Sequence, residues 1–213
     1  MKLTLHYAPI SCALISWLAL REAGADFTVE VVDFRRRTHL DAAYLRLNPK
    51  HQVPVLVIDG EPLTENVAIT LWVARQFPAA QLLPAGAAQF RAIELMAWCD
   101  SGIHPSLTPN ALPERYCDLP DSADSVRRCA QRQLQEKFQI AEDRLAGREW
   151  FLEHFTLADI FFFWCFRRAG QFGMNLSEFT RCQAHFERVT GRPATQELLA
   201  FEAQALARLQ AAD

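Results

Sequence analysis

The sequence predicts an α/β unit followed by an all-helical one, and three observations carry that prediction. Residues 2–32 run strand, helix, strand, the signature of a parallel βαβ unit. Val55-Leu56-Val57-Ile58, Asp59-Gly60 and Glu61-Pro62-Leu63 then read as strand, tight turn and return strand. Beyond Pro78 strand-like alternation stops, and apolar residues recur at helical spacing.

Taken in order, Lys2-Leu3-Thr4-Leu5-His6-Tyr7 alternates like a strand. Leu14, Trp17 and Leu18 lie on one face of a helix that Gly24 is placed to end. Phe27 to Val32 has strand composition, and a short helix near Asp41–Leu47 stops at Asn48-Pro49. From Asn66 to Phe77, Val67, Ile69, Leu71, Val73 and Ala74 restore the helical period. The result is βαβαββα on a mixed four-stranded sheet, a domain over residues 1–78. Pro78 to Gly86 reads as a linker.

Residues 87–213 read as a helical bundle, with helices over 87–110, about 123–146, 156–170, 178–190 and 194–210. Trp98, Phe138, Leu145, Phe161 and Trp164 are its expected core. In Phe155-Thr156-Leu157-Ala158-Asp159-Ile160, Thr156 and Asp159 form a capping box, and Phe155 and Ile160 a hydrophobic staple.

Composition excludes several function classes. The 213 residues carry 22 basic and 25 acidic side chains, a net charge of -3, so no broad positive field awaits nucleic acid. Arg35-Arg36-Arg37 is short and adjoins Asp33, as in a solvated loop. The apolar run from Ile160 to Phe166 is too short to span a bilayer, and the chain start lacks a secretory pattern. Six cysteines show neither a CxxC pair nor a zinc-ligand spacing, so no metal is expected. Free thiols in a cytoplasmic protein fit best.

The chemistry-bearing residues fall in three segments of the first domain. In Tyr7-Ala8-Pro9-Ile10-Ser11-Cys12 a strand passes through a proline turn into a helix. A sulfur at that helix start meets unpaired amides and the positive end of the dipole, which favour thiolate. Cys12 is equally readable as a packed helix cysteine; Ser11 or Tyr7 could instead donate a hydrogen bond to a substrate thiolate. Gln52-Val53-Pro54 offers extended backbone whose N–H and C=O are free for a ligand if the proline bond is cis; an edge-strand proline is the alternative. Glu65-Asn66 opens the next helix, with a carboxylate for a ligand ammonium and amides for a ligand carboxylate, or else as an ordinary polar helix start. In the helical domain, His104 before Pro105 either faces a cleft or is a polar residue near a helix end.

In combination these segments resemble the cytosolic glutathione transferase family, closest to its bacterial beta-class-like members. The likeness rests on Tyr7-x-Pro9-x-Ser11-Cys12, Asn48-Pro49-Lys50-x-Gln52-Val53-Pro54, Leu63-Thr64-Glu65 and Phe155-Thr156-Leu157-Ala158-Asp159. It implies a thioredoxin-like, glutathione-binding first domain, a helical domain with a hydrophobic co-substrate pocket, and a homodimer. It further implies that Val53, beside a cis Pro54, pairs with the cysteinyl backbone of glutathione. By the same likeness Glu65 and Asn66 hold the γ-glutamyl end, and Cys12 and His104 flank the sulfur. Four positions depart from the pattern: Asn66 for serine or glycine, His51 for glycine, Pro105 for lysine and Ala13 for serine.

The expected function is a transferase that conjugates glutathione, its co-substrate, to small hydrophobic electrophiles. Two alternatives stand beside it: a glutathione-dependent thiol–disulfide reductase using Cys12, and a non-catalytic interaction or regulatory protein that keeps the fold.

Overall fold

The computed structural model describes residues 1–211. In chain order the elements are β1 (Leu3–Tyr7), α1 (Ala13–Glu22), β2 (Thr28–Val31), α2 (Ala42–Leu47), β3 (Val55–Ile58), β4 (Glu61–Thr64) and α3 (Asn66–Gln76). Then come α4 (Ala88–Ala97), α5 (His104–Ala111), α6 (Ala123–Arg144), α7 (Leu157–Gln171), α8 (Thr180–Thr190) and α9 (Pro193–Ala211). A π-helical segment over Trp98–Ile103 joins α4 to α5. The chain forms two compact units: Met1–Leu83 together with the segment from Gly191, and Pro84–Thr190.

The first unit is thioredoxin-like. Its sheet has the order β2-β1-β3-β4, with β1 parallel to β2 and antiparallel to β3. β3 and β4 meet across Asp59 and Gly60, both at positive φ (49° and 99°), as a type I′ turn requires. Helix α1 is buried from Ala13 to Leu20. It ends in a Schellman arrangement in which Ala25 N–H donates to the Leu20 carbonyl and Gly24 N–H to that of Arg21.

Where the sequence suggested one helical domain over residues 87–213, α9 groups with the sheet instead. Its Phe201 lies 6.1 Å from Trp17 of α1, nearly parallel, and edge-on to Tyr7 of β1 at 5.7 Å. The Arg192 guanidinium grips the Glu22 carboxylate with two hydrogen bonds, at 2.6 and 2.7 Å.

The second unit is all helical. Helix α7 is its centre, buried from Leu157 to Phe166. Phe138 of α6 meets Phe162, Phe166 and Phe179 edge-on. The Thr156–Asp159 capping box closes at the start of α7. Asp159 does more than cap: its other oxygen accepts from Phe151 N–H at 3.1 Å and lies 2.9 Å from His185 Nε2, with both side chains fully buried.

Trp98 departs from its expected core place. It is half-buried, and the Arg144 guanidinium lies 5.5 Å from its ring. The buried stripe here runs through Ala92, Leu95, Met96 and Cys99 at ordinary helical spacing, and Trp98, the first residue of the π-helical segment, lies beside it. Lys137 Nζ meets this segment by donating to the Gly102 carbonyl at 2.6 Å. Among the described residues no helix is long and apolar enough to cross a membrane.

Candidate functional site

The three sequence segments come together within the first unit. β1 ends at Tyr7, and the chain turns through Ala8-Pro9-Ile10 into α1 with Cys12 at the N-cap. Ile10 sits at φ 66°, a left-handed conformation that a β-branched residue adopts only at a cost of about 1–3 kcal/mol. Its N–H donates to Glu202 Oε2 at 2.8 Å, and the Tyr7 hydroxyl donates to the same oxygen at 2.9 Å. Glu202 is 3% exposed on α9.

Cys12 is half-buried, and its Sγ lies 3.6 Å from the Val53 carbonyl oxygen. Ser11 uses its hydroxyl locally: the proton goes to the Ala8 carbonyl at 2.6 Å, and Oγ accepts from Ala13 N–H at 3.2 Å. A hydroxyl has one proton to give, so the expected donation from Ser11 to a bound sulfur is not available in this arrangement. The same holds for Tyr7, which is fully buried and gives its proton to Glu202.

The second segment is held from behind. The Tyr44 hydroxyl and Asn48 Nδ2 both donate to the Gln52 carbonyl, at 2.7 and 2.8 Å. Burial pushes the Tyr44 phenol well above its ordinary pKa, so it stays a donor. The Val53–Pro54 peptide bond is cis, Val53 and Pro54 are buried, and the Gln52 side chain is exposed. His51 takes φ 50°, which gives the physical reason glycine suits that position.

Glu65 is the N-cap of α3, exposed, with φ 72°. Its carboxylate pairs with Lys50 Nζ, which also donates to Thr64 Oγ1 at 2.9 Å. Asn66, a residue type that favours helix N-caps, does not cap this helix. It occupies the first helical position, 4% exposed, and its Oδ1 accepts the Ser16 hydroxyl at 2.8 Å. That bond ties α1, which carries Cys12, to α3, which follows Glu65. Each of the three segments therefore contains a non-glycine residue at positive φ (Ile10, His51, Glu65), and strained backbone of this kind concentrates at functional sites.

His104 belongs to the second unit, where it begins α5 and lies 4.5 Å from Trp164, edge-on. Burial pushes its pKa down to about 4, so the ring is neutral near pH 7. Among the described residues no group of three or more His, Cys, Asp or Glu side chains is arranged to hold a metal. Sequence reading missed Glu202. The available signal was a lone carboxylate one turn beyond Leu198 and three residues before Ala205, inside the buried stripe of α9.

Comparisons with known proteins find likenesses over most of the chain. The family described as "Glutathione S-transferase, N-terminal domain" matches residues 11–76, and "Glutathione S-transferase, C-terminal domain" matches residues 109–193. The chain is 33% identical to glutathione S-transferase GstA of Escherichia coli O157:H7 over 93% of this chain and 98% of that one. A sphingomonad glutathione S-transferase complexed with glutathione superposes with a TM-score of 0.83 at 30% identity, over 94% of this chain and 98% of that one. A bacterial beta class enzyme from Sphingomonas chungbukensis gives 0.83 and 30%, over 93% and 98%.

Proposed function

Because this chain belongs to the cytosolic glutathione S-transferase family, we propose that its first unit binds reduced glutathione and directs the sulfur onto small hydrophobic electrophiles. The observation that carries the reading is the 3.6 Å approach of Cys12 Sγ to the Val53 carbonyl. A tripeptide whose cysteinyl backbone pairs with Val53 brings its own sulfur beside Cys12. Gln52 flanks that strand edge, and cis Pro54 follows it.

Glu65 takes the γ-glutamyl ammonium, while the start of α3 at Asn66 faces the accompanying carboxylate. The positive end of α1 favours the ionised form of a sulfur held at its N-terminus. The thiolate then attacks the electrophilic carbon: a C–S bond forms, the leaving group departs with its electron pair, and the thiol proton has already gone to solvent. Of the three candidates, Cys12 lines the place of that sulfur without being required for its attack, and Tyr7 and Ser11 shape the loop. The family resemblance assigns the electrophile's apolar surface, and the supporting His104, to the helical unit. It also supports a beta-type affinity and a homodimer.

A second reading rests on the same sulfur. Cys12 would attack a glutathionyl mixed disulfide, and a second glutathione would resolve it. Cys12→Ala separates the two readings. Transfer to a haloaromatic or epoxide acceptor survives in the variant if the first reading holds, and disulfide exchange vanishes if the second does. Absence of glutathione binding by calorimetry, in both the native chain and Asn66→Ser, overturns both.

A further inference from the structure

We propose that Glu202 is a positioning residue for the sulfur site, a role that rests on the glutathione reading above. Its carboxylate reaches from α9 to the turn before α1 and collects two donors on one oxygen, Ile10 N–H at 2.8 Å and the Tyr7 hydroxyl at 2.9 Å. Ile10 is two residues from Cys12 and is held at φ 66°, a conformation isoleucine does not keep unaided. The bond to Glu202 fixes the direction in which the chain enters α1, and with it the placement of Cys12 Sγ over the Val53 carbonyl.

The Tyr7 hydroxyl belongs to the same device. It sits on the strand that supplies the turn, so strand end and turn are pinned to one point. Around that point Phe201 packs edge-on to Tyr7 and nearly parallel to Trp17, and Glu202 itself is buried. In such surroundings hydrogen bonds to an ionised acceptor are strong and directional.

Both donors converge on a single oxygen, so reach and charge can be separated. Glu202→Gln keeps the reach and one oxygen with two lone pairs, and loses the charge. Glu202→Asp keeps the charge and loses one methylene of reach. Positioning predicts that Gln outperforms Asp; an electrostatic role predicts the reverse.

The test uses the full chain, with folding checked by circular dichroism and thermal melts. Glutathione affinity is read by calorimetry, and the pH profile of Cys12 alkylation by peptide-resolved mass spectrometry. Glu202→Gln is expected to stay within about threefold of the native affinity with the same alkylation profile. Glu202→Asp is expected to bind about tenfold more weakly, the worth of one hydrogen bond to a charged group, with a shifted profile. A folded Asp variant that matches the native chain, or a Gln variant that does worse than Asp, overturns the proposal. If the native chain does not bind glutathione, the functional reading fails separately. The alkylation arm then decides alone: a profile shifted in Asp but not in Gln upholds positioning, and any other pattern overturns it.

Discussion

Glu65 and Lys50 permit a prediction whose size follows from exposure. The pair joins side chains that are 57% and 46% exposed. Exposed ion pairs contribute about 0.2–1 kcal/mol, because water screens them and two side chains lose freedom. A ligand ammonium that displaces Lys50 from Glu65 therefore gives up at most a factor of about five in affinity. In return it gains a hydrogen bond to an ionised acceptor, worth about 1.5–3 kcal/mol, or roughly 10- to 150-fold. The second effect wins. Glu65→Gln should thus weaken glutathione binding by about tenfold or more, and Lys50→Met should tighten it by less than about fivefold. Calorimetry at fixed ionic strength measures both. A Glu65→Gln variant that binds within about threefold of the native chain, or a Lys50→Met variant that loses more than about tenfold, refutes the assignment of the ammonium to Glu65.

Asp159→Ala strands the Thr156 and Phe151 amides and the His185 ring in a dry interior. At about 1–3 kcal/mol for each orphaned group, urea unfolding should show a loss of about 4 kcal/mol; a loss below about 1 kcal/mol contradicts the shared role of that carboxylate. Since His51 holds φ 50°, where a Cβ is penalised, the His51→Gly chain should be more stable to urea than the His51→Ala chain by about 1 kcal/mol. Equal effects from the two substitutions refute the backbone argument. The folded pKa of His104, about 4, lies below its ordinary 6.5, so the unfolded chain binds more protons between those values. Stability present above pH 6.5 should fall, by up to about 3 kcal/mol, as pH drops toward 4. Urea titrations should find that slope shallower in His104→Gln, and an unchanged slope contradicts the burial argument.

Local signals carried much of the architecture in both units. Asp59-Gly60 has the two residues that a type I′ turn accepts, Gly24 sits where a helix must end, and Thr156 with Asp159 carries its hydrogen-bonding partner three residues away. What the sequence did not disclose depends on contacts between distant segments. Asn66 faces Ser16, fifty residues earlier, and so leaves the capping role its residue type suggested. Glu202 lies 192 residues from the Ile10 amide it holds. Ser11 and Tyr7 were sound donors by chemistry, yet each had a nearer or buried acceptor that no spacing rule specifies. Trp98 was misplaced because its residue type was read ahead of its phase: the buried stripe runs through Ala92, Leu95, Met96 and Cys99, and Trp98 falls beside it. The segments around Cys12, Val53 and Glu65 were legible because each combines a backbone requirement with a chemical one.

The most direct test of a glutathione sulfur lodged beside Cys12 is a brief exposure of the native chain to glutathione disulfide, followed by peptide mapping. Cys129 is exposed and Cys12 only half so. Accessibility alone would therefore label Cys129 first. A bound ligand presents its disulfide to Cys12, whose thiolate takes one sulfur and releases glutathione thiolate. Labelling of Cys12 ahead of Cys129, slowed by excess S-methylglutathione, is the predicted result; labelling of Cys129 first, indifferent to that competitor, contradicts the account.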